Sequence, residues 1–218
     1  MSDILSLVLA TGNAGKLSEL RALLVGLPVQ VLSQPEALGT QLTIEETGDT
    51  FADNAALKAR AVCRATGLPA LADDSGLEVD ALGGHPGVRS ARFAHERASD
   101  AENNAALLQA LSGVPEPRSA RFRCVLAFVS PWHETPQFFE GTCEGSIALT
   151  PRGSGGFGYD PLFVPLSGDG RALAQHSAEE KHALSHRGHA MRAFREAFAE
   201  WLNERLLESE AVLARSVR

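Results

Sequence analysis

Four short segments carry residues whose types and spacing could act on a phosphorylated ligand. The first is Thr11-Gly12-Asn13-Ala14-Gly15-Lys16, a glycine-rich turn between an apolar run and a helical pattern. Such a turn presents main-chain N–H groups and the positive end of a helix to an anion, and a lysine adds a point charge for a phosphate oxygen. It is not a Walker A loop. Two residues separate Gly12 from Gly15, and Leu17 stands where a Ser or Thr would hold magnesium. Alone, the turn reads either as a phosphate site or as an ordinary passage from strand to helix. The second segment type is a set of acids, Glu45-Glu46 and Asp73-Asp74. Magnesium takes hard oxygen ligands, usually one or two carboxylates with waters and substrate phosphates. Two carboxylates from separate segments suit metal-assisted hydrolysis of a phosphate compound. Glu45-Glu46 alone reads more readily as a solvated turn. Asp73-Asp74 favours function, because like charges crowded at the end of an apolar strand are costly unless a cation is held there.

The third segment is Gly155-Gly156-Phe157-Gly158-Tyr159-Asp160-Pro161. An aromatic ring on a glycine-freed loop either stacks on a base or anchors a tight turn. The fourth runs from Lys181 to His189, where Lys181 can neutralise phosphate and His186 and Arg187 offer donors near a helix start. His182 and His186 have the i, i+4 spacing of a zinc pair. The H-E-x-x-H glutamate and a third soft ligand are missing, which argues against zinc. Together the segments supply a phosphate cradle, metal acids, a stacking platform and polar base readers. That is the inventory of a nucleoside triphosphate site.

These groups need elements to hold them. Ile4 to Ala10 is a continuous apolar run of strand length, and Leu17, Leu20, Leu23 and Leu24 recur at helical spacing after the turn. Val29 to Leu32 predicts a second strand, and Phe51 to Thr66 a helix with Phe51, Ala55, Ala59 and Val62 on one face. Leu68 to Ala72 predicts a short strand ending at the two aspartates, and Gly83 to Phe93 a loop. Ser99 to Glu102 and Ser177 to Glu180 have the capping-box pattern of helix starts. Arg121 to Ser130 and Gln137 to Leu149 predict two long strands, and Leu162 to Val164 a short one. Met191, Phe194, Phe198, Trp201 and Leu202 mark the buried stripe of a last helix. The order is βαβα at first and strand-rich in the middle, which predicts an α/β fold on a mixed sheet.

The chain of 218 residues is 44% hydrophobic and 22% charged, ordinary proportions for a globular domain. A net charge of −7 argues against a nucleic-acid polymer as partner, without excluding a small anionic substrate. The apolar runs are too short to span a membrane, and the N-terminus lacks a secretory pattern. Cys63, Cys124 and Cys143 are scattered and odd in number, the usage of a reducing compartment, so the cytoplasm is expected.

Five segments together resemble one family. LATGNAGKLSEL (9–20), EETGDTFADNAALKA (45–59), LADDSGLEVDALGGHPGVRSARF (71–93), GGFGYDPLFVP (155–165) and EEKHALSHRG (179–188) are similar, in order and spacing, to the inosine triphosphate pyrophosphatase family, the XTP/dITP diphosphatases. The resemblance covers nearly the whole chain apart from its C-terminal end. It implies an elongated mixed β-sheet with flanking helices, two lobes around a central nucleotide-binding cleft, and a homodimer. Residues 1–207 would form this domain and 208–218 a fraying tail. It implies that Thr11, Gly12, Asn13, Ala14, Gly15 and Lys16 hold substrate, with Lys58, Ser75, Phe157, Gly158, Tyr159, Asp160, Lys181, His186 and Arg187. Glu46 and Asp74 would bind Mg2+, and Asp74 would be the acid that activates water.

The implied reaction converts non-standard purine nucleoside triphosphates (ITP, dITP, XTP) to the monophosphate and pyrophosphate, cleansing the nucleotide pool. The stretch Ala174-Gln175-His176 departs from the family's usual acidic or methionine character, without touching a motif residue. Two rival readings remain: a phosphatase or pyrophosphatase for ordinary nucleotides, such as the related Maf-type proteins, and a nucleotide-binding sensor that has lost turnover. The presence of Lys16, Glu46 and Asp74 together speaks against the sensor.

Overall fold

The apolar N-terminal run forms strand β1 (Leu5–Leu9), and Asn13 caps the helix that follows, α1 (Ala14–Leu23). Strand β2 (Val29–Ser33) passes directly into the short helix α2 (Gln34–Leu38), and α3 (Phe51–Thr66) has the predicted bounds. Then come β3 (Ala70–Val79), α4 (Asp100–Ala110), the long pair β4 (Ser119–Ser130) and β5 (His133–Ile147), and β6 (Phe163–Pro165). Helices α5 (Ala178–Leu184) and α6 (His186–Ser216) end the chain. This computed structural model describes residues 4–216, with side chains except those of 206 and 208–216.

The strands form one sheet in the order β2-β1-β3-β4-β5-β6. β1 runs parallel to β2 and β3, since helices return the chain between them, and β3 to β6 pair antiparallel. The mixed α/β sheet is the predicted class.

Three buried clusters hold the layers. On one face, α1 and α6 place Leu20, Met191, Phe194, Phe198 and Leu202 against Leu7, Leu9, Leu71, Leu126 and Phe128. On the other, Ala55, Ala59 and Val62 of α3 lie against Val8, Ala70, Ala72, Ala127 and Val129. The third cluster lies toward the other end of the long strands and joins Leu77, Leu107, Leu111, Phe122, Ile147, Leu162 and Phe163. Each fully buried Leu or Phe contributes about 1.5–3 kcal/mol. Gly141 on β5 permits one close approach: a Cβ there would collide with the main chain of His186 and Ala190. The start of α6 is thereby seated against the sheet.

Several boundaries differ from expectation. β3 does not stop at Ala72 but runs through both aspartates to Val79, paired with β4 throughout. β5 begins at His133, four residues early, because the chain turns tightly and Ser130 pairs with His133. The loop over Gly83–Phe93 contains a 3₁₀ turn, Gly87–Arg92. Helix α6 continues through 208–216, where a tail was expected; residues 217–218 lie outside the described residues. Among the described residues no helix is long and apolar enough to cross a membrane.

Candidate active site

The site begins where β1 ends. Leu9 pairs with Leu71, and beyond that β3 continues without β1 beside it. Further on, the same edge is covered again, by the Ser90 hydroxyl accepting from Leu77 N (2.8 Å) and by a bridge between Glu78 and Pro86. A notch is left beside Asp73, Asp74 and Ser75, and the turn Thr11–Lys16 lies at its start. The turn is not the open cradle expected. Asn13 Oδ1 accepts from Gly15 N (2.8 Å) and Lys16 N (3.2 Å), and Thr11 Oγ1 accepts from Asn13 N (3.2 Å). An anion reaching those two α1 amides must displace the exposed Asn13 side chain.

Alternation along β3 splits the two aspartates between the faces of the sheet. On the α1/α6 face, Asp73 pairs with Lys16 (2.7 Å) and Arg187 (3.4 Å), and Arg187 also donates to Ser75 Oγ (3.2 Å). Burial would push the Asp73 carboxyl up, but Lys16 and Arg187 outweigh it and hold it well below the usual carboxylate range.

On the α3 face, Lys58 bridges Asp74 (2.9 Å) and Glu46 (2.7 Å). Asn54 donates to Asp74 (3.3 Å), and Arg92 lies 3.6 Å from Glu46. Burial raises the Asp74 carboxyl above its ordinary value, with Lys58 opposing. Burial also lowers the Lys58 ammonium, yet its two carboxylates prevail and its pKa is raised. The crowding of like charge inferred from the adjacent acids is therefore absent, because each acid has its own cations. Among the described residues no three His, Cys, Asp or Glu side chains converge as a metal cluster. Two carboxylates do converge on one cation, the Lys58 ammonium.

A cavity of about 560 Å³ opens on the α1/α6 side. Asn13, Gly15, Lys16 and Ser75 line it together with Phe157, Gly158, Tyr159, Asp160, Lys181, His186 and Arg187. Its size suits a small organic ligand. Phe157 is 52% exposed, with Lys181 Nζ 4.3 Å and the Arg187 guanidinium 5.6 Å from its ring centroid. Lys181 pairs with Asp160, which also accepts from Phe157 N (2.8 Å). Tyr159 is buried, its hydroxyl donating to Ser90 O (2.8 Å). His186 stacks on Phe122 at 4.8 Å and 11°. Burial, then the charges of Arg187 and Lys181, depress its pKa well below 6.5, so the ring is neutral. Among the described residues, His186 Nδ1 and Arg187 Nε are buried without hydrogen-bond partners. Such orphaned groups are the ones a bound ligand would satisfy.

The predicted residues that do not line the cavity fall into two groups. Thr11, Gly12 and Ala14 shape the turn without lining the cavity, and Glu46, Lys58 and Asp74 lie across β3 from it. His182 and His186 do not share a helix: Ser185, at ψ 152°, breaks α5 from α6. The sequence did not single out Arg92, Ser90, Asp100 or Asn103. Arg92 and Ser90 gave no local signal, and Asp100 was absorbed into a capping pattern.

The residues span most of the chain, and so does a match to known proteins. The model of the Ham1 family matches residues 7–197, which include every residue of this site. The chain belongs to the Ham1 family. A relative from Yersinia pseudotuberculosis serotype I (strain IP32953), a dITP/XTP pyrophosphatase, is 52% identical over 194 residues, 88% of this chain and 96% of that one. The dITP/XTP pyrophosphatase of Geobacillus kaustophilus (strain HTA426) is 50% identical over 198 residues, 89% and 94% of the two chains. Among solved structures, a HAM1 protein from Coxiella burnetii superposes with a TM-score of 0.84 at 44% identity, covering 90% of this chain and 99% of its own. The Staphylococcus aureus Ham1 protein gives 0.82 at 38%, covering 89% and 98%. The mixed sheet with flanking helices is therefore the Ham1 fold.

Proposed function

We propose that this Ham1-family chain hydrolyses nucleoside triphosphates to the monophosphate and pyrophosphate, with ITP, dITP and XTP as substrates. It would thereby remove them from the nucleotide pool; the relatives described above are named dITP/XTP pyrophosphatases. The observation that carries this reading is the notch in the sheet. Beside it, Ser75 of β3 lines a cavity with the half-exposed Phe157, while its chain neighbour Asp74 belongs to a cluster of two carboxylates and a lysine on the opposite face.

In this reading the purine stacks on Phe157, and Lys181 and Arg187 lie over the same ring. Arg187 and the neutral His186 meet the base edge, where unpartnered buried nitrogens favour a 6-oxo acceptor over adenine's amino group. Asp73 holds Lys16 and Arg187, so that one carboxylate aligns the phosphate lysine with the base-reading arginine. The triphosphate passes through the notch toward Lys58. Glu46 and Asp74 fit a hard divalent cation, since both already direct oxygens at a positive charge. Magnesium bound there would neutralise phosphate charge and polarise the anhydride. Asp74, its carboxyl raised by burial, accepts a proton from the attacking water. The α–β anhydride breaks, and Lys16 and Lys58 hold the departing pyrophosphate.

The assignment to the cytoplasm is supported by three free, buried cysteines. The family resemblance supports a homodimer, and the net charge of −7 supports a partner other than a nucleic-acid polymer. The test is kcat/KM for ITP, XTP, dITP, ATP and GTP with magnesium: ITP and XTP should exceed ATP by at least about a hundredfold. Equal use of ATP and ITP would contradict the proposed selection.

A further inference from the structure

Phe157 belongs to none of the three buried clusters among the described residues, and the residue is half-exposed. A platform that stacks a base must nevertheless hold its angle before the ligand arrives, or binding must order it. No buried cluster packs around this ring; apart from the Lys181 and Arg187 cations over it, its placement falls to the main chain.

The main chain around Phe157 is bonded at consecutive peptide units. Phe157 N donates to Asp160 Oδ2 (2.8 Å), fixing the unit before the residue. Gly158 N donates to Asp100 Oδ2 (2.6 Å), fixing the unit after it. Gly158 O accepts from Asn104 Nδ2 (2.8 Å), fixing the next, and Tyr159 is anchored through its hydroxyl. Gly158 sits at φ +61°, a region glycine enters freely, so the loop's own backbone does not fix its conformation. The support comes from α4, more than fifty residues away in sequence.

We propose that Asp100 and Asn104 are positioning residues for base binding: they clamp the Gly158 peptide units from both sides and so preset the Phe157 ring. Each has the chemistry its place needs. A carboxylate accepting from a main-chain N–H is a short, charge-assisted bond. The Asn104 amide is buried and gives its N–H donors to two carbonyls, Gly158 O and Asp100 O (2.7 Å). Asp100 also lines the cavity. The clamp rests on the reading of that cavity as a nucleotide site, and it acts at the base end only.

The test is calorimetric binding of IMP and, separately, of pyrophosphate to the whole protein. IMP reports the base end and pyrophosphate the phosphate end. D100A and N104A should each weaken IMP by roughly tenfold, the effect of losing a hydrogen bond to a charged or buried group. Pyrophosphate should stay within about twofold, since the clamp bonds run to Gly158 and Asp100 and not to Lys16 or Lys58. D100N keeps an acceptor for Gly158 N and should restore most of the IMP affinity. N104D replaces donors with acceptors facing two carbonyl oxygens, so it should bind IMP no better than N104A. Asp100 is exposed, so D100A tests the clamp even if N104A fails to fold. Unchanged IMP affinity in D100A, or equal loss of both ligands, would overturn the clamp. Failure of the wild type to bind IMP would instead overturn the nucleotide reading of the cavity, and the clamp with it.

Discussion

Asp73 and Asp74 are neighbours in the chain but serve opposite faces of β3, Asp73 holding Lys16 at 2.7 Å and Asp74 holding Lys58 at 2.9 Å. Asp73 has a second cation in Arg187, and both of its partners line the cavity. Lys58, by contrast, has a second acid in Glu46. Removing one charge therefore has different consequences on the two faces.

Asp74→Asn should lose turnover by about a thousandfold or more, on the order of 4 kcal/mol of transition-state stabilisation. Its fold should persist, because Lys58 keeps Glu46. Asp73→Asn strands two cations beside a buried neutral amide, which costs about 3 kcal/mol or more of stability. Melting temperature and steady-state kinetics on both variants check this. Activity within a few-fold of wild type in Asp74→Asn would remove that residue from the mechanism.

Lys16→Ala should weaken ITP and XTP by a similar factor, since Lys16 stands at the start of α1 beside Asp73 rather than at the base loop. The ratio of kcat/KM for the two substrates measures it. A changed ratio with undiminished pyrophosphate inhibition would contradict the placement.

His186 gives a pH dependence. Its folded-state pKa lies well below 6.5, so at pH values between the two the unfolded chain binds more protons. The stability contributed by the neutral ring is fully present above 6.5 and is lost as pH falls toward the folded value. Between about pH 7.5 and about pH 5 the melting temperature of the wild type should fall further than that of His186→Phe, which keeps the stack on Phe122 without a proton to gain. Parallel profiles would remove His186 from the acid response.

Arg187→Ala should narrow the preference for ITP over ATP more than Phe157→Ala does. Stacking adds affinity for any purine, whereas a buried donor distinguishes a 6-oxo group from a 6-amino group. Measured kcat/KM for ITP and ATP in both variants decides it. A larger narrowing in Phe157→Ala would move base selection to the platform.

Local pattern foretold the helix bounds of α3 and the capping boxes at Ser99 and Ser177 because each depends on residues three or four apart. β3 was cut short because two aspartates look like a strand end. Their cations come from α1, α3 and α6, and only tertiary structure brings them there. Helix α2 is legible from local pattern: Ser33 and Glu36 form a capping box with Pro35 in the first turn and Gly39 at the end. The turn at Asn13 shows the opposite limit. Its sequence suggests free amides, but the asparagine that opens the helix occupies two of them. Asp100 and Asn104 contact the loop more than fifty residues away, and no periodicity reports such a contact.

The most direct test of the central claim is identification of the products of ITP hydrolysis by phosphorus NMR, with magnesium present and no coupling enzyme. Cleavage of the α–β anhydride predicts IMP and pyrophosphate in equal amounts from the first turnovers, with no IDP at any time. IDP and orthophosphate as the first products would place attack at the terminal phosphate and contradict the account.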